Sequence, residues 1–198
     1  MLSWLEVVGF VTGAASVWLF VRQNLWAWTV GLANSGSWFL LFWSSRLYLD
    51  AGLQLVYLAL GAAGWYWWLH GGPTRTALQV RRTSRGETIA LASAGLAGTA
   101  SLWWVMTLAG DASPLADAAT TVTSLIAQFM LTRKLLGTWW CWIAVDIAYL
   151  ILYSVQHLYL TAALQPLFIV MCVVGLRRWR ASLTVPVPSP AAAAVVTP

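Results

Sequence analysis

Seven apolar runs, each close to the length a lipid bilayer demands, dictate what this chain can fold into. A hydrocarbon core about 30 Å thick needs roughly 20 apolar residues per helix. Runs of that kind cover residues 2–21, 25–44, 47–69, 88–109, 114–132, 136–155 and 158–176. Inside lipid every backbone N–H and C=O must be satisfied within the segment, so each run is read as a helix. The composition agrees, with 60% hydrophobic and 9% charged residues among 198, where a soluble domain carries roughly 25% charged residues. The expected class is an all-α polytopic membrane protein with seven transmembrane helices.

The polar segments divide the chain. Residues 70–87 contain Gly71-Gly72-Pro73 and the arginines Arg75, Arg81, Arg82 and Arg85, and are read as a basic linker on the cytoplasmic side. Residues 180–198, with Pro186, Pro188 and Pro190 followed by alanines, lack any amphipathic pattern and are expected to form a disordered tail. The net charge of +5 resides at the ends of apolar runs. That placement marks topology and argues against nucleic-acid binding. With the amino terminus outside, Arg22, the linker arginines, Arg133, Lys134, Arg177, Arg178 and Arg180 all face the cytoplasm, and Arg46 is the one exception. The carboxyl terminus is then cytoplasmic. Cys141 and Cys172 lie within apolar runs and are read as small packing residues rather than metal ligands or a disulfide.

The chain also resembles itself. Tyr48-Leu49-Asp50-Ala51-Gly52-Leu53-Gln54 matches Tyr159-Leu160-Thr161-Ala162-Ala163-Leu164-Gln165 at an offset of 111 residues. Without a gap, that offset also pairs Arg22 with Arg133, Trp28 with Trp139, Gly64 with Gly175 and Trp68 with Trp179. The spacing predicts a duplication of three helices, residues 1–69 and 110–179, with residues 88–109 as an unpaired linker helix. An even number of crossings separates the copies, so they run parallel through the membrane. Transporter sites built from repeats lie near the midplane between the copies.

Candidate chemistry concentrates on the sixth run. Trp139, Trp142, Asp146, Tyr149 and Tyr153 fall at i, i+3, i+7, i+10 and i+14, one helical face. A carboxylate at a membrane helix centre costs about 3 kcal/mol or more and needs a partner. Capping by Thr120, Thr121, Thr123 or Ser124 would supply one, and so would a polar or cationic solute. Indoles stack on planar rings and attract cations, so indole plus carboxylate suits a planar, cationic or hydrogen-bonding heterocycle. On the third run Gln54, Tyr57, Gly61, Gly64 and Trp68 share a face, and Gln165 occupies the equivalent place on the seventh. The two glutamines suit either helix packing or a ligand. Asn34 and Gln128 are the other amides within helices. No P-loop, metal-ligand spacing or nucleophile–base pair is visible, so neither an enzyme nor a cofactor is expected.

These residues resemble the Pnu-type vitamin transporter family. The specific parts are Leu47 to Gln54 running into Gly64-Trp65-Tyr66-Trp67-Trp68, the WxxW of Trp139 and Trp142 followed by Asp146, and Leu158-Tyr159-Leu160-Thr161-Ala162. The resemblance covers nearly all seven helices. It implies two parallel three-helix bundles joined by a linker helix, as in the SWEET plan, assembled as a homotrimer. It also implies facilitated diffusion of a non-phosphorylated vitamin that cytoplasmic phosphorylation then traps. Trp139 and Trp142 would flank the heterocycle, and Asn34, Gln54 and Gln128 would reach a ribose. Gln165-Pro166 departs from the pattern, since many members carry an aromatic and an apolar residue there. The leading expectation is a nicotinamide riboside uniporter in the cell membrane. Thiamine and riboflavin, carried by related branches, are the alternatives, and a non-transporting receptor or scaffold is the rival of another class.

Overall fold

The computed structural model describes residues 4–157 and 159–183. Seven α-helices are present among them: α1 Trp4–Val21, α2 Trp26–Ser44, α3 Tyr48–His70, α4 Arg85–Leu108, α5 Pro114–Thr132, α6 Thr138–Val155 and α7 Tyr159–Ser182. A short 3-10 turn, Pro73–Arg75, sits in the linker. Three helical segments, Arg85–Leu108, Thr138–Val155 and Thr161–Ser182, are long and apolar enough to cross a membrane by length and composition. Helices α2, α3 and α5 are interrupted by Asn34, Ser35 and Ser37, by Gln54 and several glycines, and by Thr120, Thr121, Thr123 and Ser124. Their apolar character is diluted by these groups, of which Thr120 and Ser124 are buried and Ser37 is exposed.

Local chemistry sets the boundaries. Ser84 caps α4 through a reciprocal box, its Oγ accepting from the Glu87 N–H at 3.2 Å while the Glu87 carboxylate accepts from the Ser84 N–H at 2.9 Å. The same carboxylate takes two hydrogen bonds from Arg81, at 2.8 and 2.6 Å. Pro114 opens α5 at its first turn, where a missing N–H costs nothing. The linker backbone docks on the α5–α6 turn, with Arg81 N–H donating to Lys134 O at 3.1 Å and Leu136 N–H to Arg81 O at 2.9 Å.

Within the bundle α2 packs on α1 and α3, α6 packs on α5 and α7, and the two groups meet through α3 against α5 and α1 against α7. Helix α4 lies outside, against α5, and buries no residue fully. Several features of the first three helices recur 111 residues later. The turns after α1 and α5 each contain a left-handed residue, Gln23 at φ 54° and Lys134 at φ 49°. Those after α2 and α6 do the same with Arg46 at 62° and His157 at 61°. Such conformations cost a side-chain-bearing residue of order 1 kcal/mol, so their recurrence is informative.

The buried aromatic core repeats in the same register. Trp28 lies on Gly64 and Trp139 on Gly175, where an added Cβ would collide with the indole. Trp28 meets Trp68 edge-on at 5.4 Å and 89°, and Trp139 meets Trp179 at 5.3 Å and 89°. Each outer indole then reaches into the other half. Trp68 Nε1 donates to Leu131 O at 3.0 Å and Trp179 Nε1 to Phe20 O at 3.1 Å. One cross-brace is inverted, with Ser16 Oγ donating to Ala27 O in the first half and Thr138 Oγ1 to Ala127 O in the second.

At the carboxyl end the sequence reading is corrected by three residues. Helix α7 continues to Ser182, past the expected tail boundary at residue 180, because the fully buried Trp179 and its bond to Phe20 hold the last turn. Residues 184–198 lie outside the described residues.

Candidate functional site

A cavity of about 430 Å³ lies between the two helix groups. Its floor is the aromatic cluster of Phe20, Trp28, Trp68, Leu131, Trp139 and Trp179, at the end of the bundle where α1 finishes and α2 begins. Toward the other end it passes Gln54, Trp38 and Phe42. Beneath the floor Lys134 places its Nζ 4.3 Å above the Trp68 ring and 3.5 Å from Gln23 Oε1. Burial pulls the Lys134 ammonium down to about 8.

Seven of the nine expected site residues line this cavity: Asn34, Gln54, Tyr57, Gln128, Trp139, Trp142 and Asp146. Asp146 is 8% exposed, and its polar neighbour is the Cys172 thiol, which donates to Oδ2 at 3.7 Å. Capping by α5 hydroxyls, one of the two partners the sequence left open, finds no support at Thr120 or Ser124. Thr120 and Ser124 donate back to their own helix, to Ala116 O at 2.9 Å and Thr121 O at 2.9 Å. That local bond is the usual resort of a hydroxyl within a helix. Tyr57 is left to donate to Ser124 Oγ at 2.8 Å. Among the described residues no basic side chain lines the cavity, so the carboxylate has no protein counter-ion there.

The amides divide into two kinds. Asn34 lines the cavity with its Nδ2 engaged, donating to Gly9 O at 3.1 Å and Thr12 Oγ1 at 2.6 Å. Gln54 and Gln128 come from α3 and α5 on opposite sides of the junction between the helix groups.

Two expected residues lie elsewhere. Tyr149 stacks on Tyr153 at 5.4 Å and 10°, away from the cavity wall. Gln165 is buried outside it, one turn from Phe168, whose ring packs edge-on against Phe10 at 5.6 Å. Trp139 is also corrected in part. Its ring is clamped between Gly175 and Trp179 and is 2% exposed, so of the two α6 indoles that line this cavity Trp142 is the more open. Residues missed from sequence include Trp38, Phe42, Ser35 and Cys172. The offset of 111 could have found Trp38 and Phe42, since they are the counterparts of Tyr149 and Tyr153.

A second hollow of about 830 Å³ lies between α4 and the α5–α6 pair. It is walled by groups such as Leu91, Gly95, Ile126 and Met130 with the hydroxyls of Thr83, Thr88, Thr99 and Thr123, and unlike the first cavity it holds no carboxylate or amide.

A family model for nicotinamide mononucleotide transporters matches residues 3–181. The chain belongs to that family. Its relatives include the nicotinamide riboside transporter PnuC of Escherichia coli, 23% identical over 90% of this chain and 85% of that protein. They also include the riboflavin/roseoflavin transporter RibM of Streptomyces davaonensis, 30% identical over 73% of this chain and 69% of that one. The crystal structure of the vitamin B3 transporter PnuC has the same fold, with a TM-score of 0.72 at 22% identity over 91% of this chain and 82% of its own. This family member is a helical, multi-pass membrane protein.

Proposed function

We propose that this chain is a vitamin carrier that takes up nicotinamide riboside by facilitated diffusion, with cytoplasmic phosphorylation trapping the cargo. The observation that carries the reading is the joint placement of Trp142, Asp146, Gln54 and Gln128 around one cavity that holds no protein cation. A pyridinium ring supplies what is missing. Its face stacks on the Trp142 indole, worth about 0.5 to 2 kcal/mol as a cation–π contact. Its charge offsets the Asp146 carboxylate, and its ribose hydroxyls find the free amides. Relatedness to E. coli PnuC supports that cargo.

The carrier layout we infer is two parallel three-helix repeats joined by α4, with the amino terminus outside, the carboxyl terminus in the cytoplasm and three copies assembled together. The recurrence of left-handed turns, Trp-on-Gly packing and crossed indole bonds at one offset supports the duplication. In that orientation the aromatic floor closes the cavity toward the cytoplasm. Release of the cargo inward requires the Trp68 and Trp179 bonds between the repeats to open, and these two weak latches suit a structure that rocks between states.

Riboflavin is the second reading, favoured by the relationship to RibM. It would use the same indole and amides and give the Asp146 charge less to do. Uptake of labelled nicotinamide riboside, thiamine and riboflavin into proteoliposomes separates the cases. Nicotinamide riboside is expected to equilibrate across the membrane and to exchange without an imposed ion gradient. Uptake of riboflavin alone would establish the second reading. Binding without uptake would make the protein a receptor, and no response to any of the three would overturn the vitamin reading.

A further inference from the structure

We propose that the cargo lies off the centre of the bundle, against α1 and α2, and that Gly13, Gly31 and Ser35 set the width of planar ring the cavity accepts. This rests on the carrier reading and adds to it which half of the chain sizes the cargo.

The cavity is lopsided although the helices around it are not. Fourteen of its twenty lining residues come from α1, α2 and α3, and six from α5, α6 and α7. The reason is visible position by position. Where the first half has Gly13, Gly31, Ser35 and Gly61, the residues 111 further on are Ser124, Trp142, Asp146 and Cys172. The first half leaves space at each place where the second half has a larger or ionisable side chain. The matched stacks differ in what they face, since Trp38 and Phe42, stacked at 5.5 Å and 26°, line the cavity while Tyr149 and Tyr153 do not, and Tyr57 lines it while its counterpart Phe168 packs on Phe10. A ring laid on Trp142 therefore extends toward the empty counterpart positions on α1 and α2.

The glycines are not equivalent. An added Cβ at Gly61 would meet Leu32 Cδ2 at 2.8 Å, so Gly61 serves the close approach of α3 to α2. A Cβ at Gly31 first meets Ser16 Oγ at 3.3 Å, and one at Gly13 meets nothing within 4 Å. Of the glycines whose added Cβ would enter open space, Gly13 is the only one on the cavity wall. Packing gives no reason for a glycine there, and inside a helix it costs about 1 kcal/mol relative to alanine. Gly36 and Gly52 are as open, and what sets Gly13 apart is its place on the wall of the cavity that also holds Trp142 and Asp146. The cargo class is a planar heteroaromatic ring with a hydroxylated chain, the ring between Trp142 and the Gly13–Gly31 wall and the chain toward Gln54 and Asn34.

The test is titration calorimetry of the detergent-purified protein with nicotinamide riboside and riboflavin, a one-ring and a three-ring probe. Wild type is compared with Gly13→Ala, Gly13→Leu and Gly36→Leu. Gly36 is the matched control, a helical glycine facing open space off the cavity wall. Gly13→Leu is expected to weaken the bound vitamin by at least about tenfold and Gly13→Ala by less, with the three-ring probe losing more wherever both bind. Gly36→Leu is expected to stay within about twofold of wild type. Unchanged affinity in a folded Gly13→Leu variant overturns the inference, as does an equal loss in Gly36→Leu. If Gly13→Leu fails to fold, unchanged affinity in both Gly13→Ala and Gly31→Ala overturns it. In each of those cases wild type still binds, so the carrier reading survives. Wild type binding neither vitamin removes the carrier reading and this inference together.

Discussion

The floor of the cavity and its walls are built from the same helices and follow opposite rules. At the floor, Trp28, Gly64 and Trp68 are matched by Trp139, Gly175 and Trp179 in identity, in edge-on geometry and in the indole bond each half gives the other. On the walls, Gly31 and Ser35 stand where the other half has Trp142 and Asp146. A contact that both halves make to each other is constrained to stay matched, because altering one indole unbalances the junction. Under the proposed carrier reading, a wall that meets a small asymmetric molecule has no such constraint, and divergence there is how a repeated scaffold would acquire a site.

The comparison breaks most visibly at the floor. Gly64→Val and Gly175→Val each drive a side chain into an indole, the nearest atom lying at 2.6 Å for Gly175, and each is expected to destabilise the bundle by about 3 kcal/mol. Thermal unfolding in detergent should give similar losses for the two. A severe loss from one alone would show that the floor is not shared evenly.

Removing a single bond is gentler. Trp68→Phe and Trp179→Phe keep a ring in place and delete one donor between the halves, for about 0.5 to 2 kcal/mol each. Matching losses of stability, with faster exchange of cargo, would sharpen the latch reading. Unequal losses would make the second half dominant at the floor as well.

Much of the floor was legible in the sequence. Tryptophan, arginine and glycine matches in one register are rare by chance, and together with the Tyr48–Gln54 match to Tyr159–Gln165 the recurrence of Trp28, Gly64 and Trp68 pointed to a repeat. The site was half legible. Helical spacing put Trp142 and Asp146 on one face, but it fixes a direction only to within a neighbouring side chain. Tyr149 turned to Tyr153, and Trp139 was claimed by Gly175. The hydroxyls of α5 looked like partners for Asp146 until their own backbone proved nearer. Least legible was the wall at Gly13 and Gly31, since an absent side chain gives no pattern.

The weakest expected effect lies just below the floor, where the halves differ as Gln23 and Lys134. The folded ammonium of Lys134 is drawn down to about 8 from 10.5 by burial. Below pH 8 the buried charge is a standing cost. Between pH 8 and 10.5 the unfolded chain binds the extra proton, so this group makes stability rise with pH over that window. Unfolding temperatures measured across it should climb by a few degrees in wild type relative to Lys134→Gln, which copies the first half. Parallel curves would place Lys134 in water.

The most direct test of the binding claim is the affinity of purified wild type and Asp146→Asn for nicotinamide riboside at one pH and ionic strength. The substitution keeps the shape and removes the charge, and Asn at that position should weaken the cationic vitamin by roughly tenfold or more, about 1.4 kcal/mol. Equal affinities in the two proteins would contradict a site in which Asp146 answers the charge of its cargo.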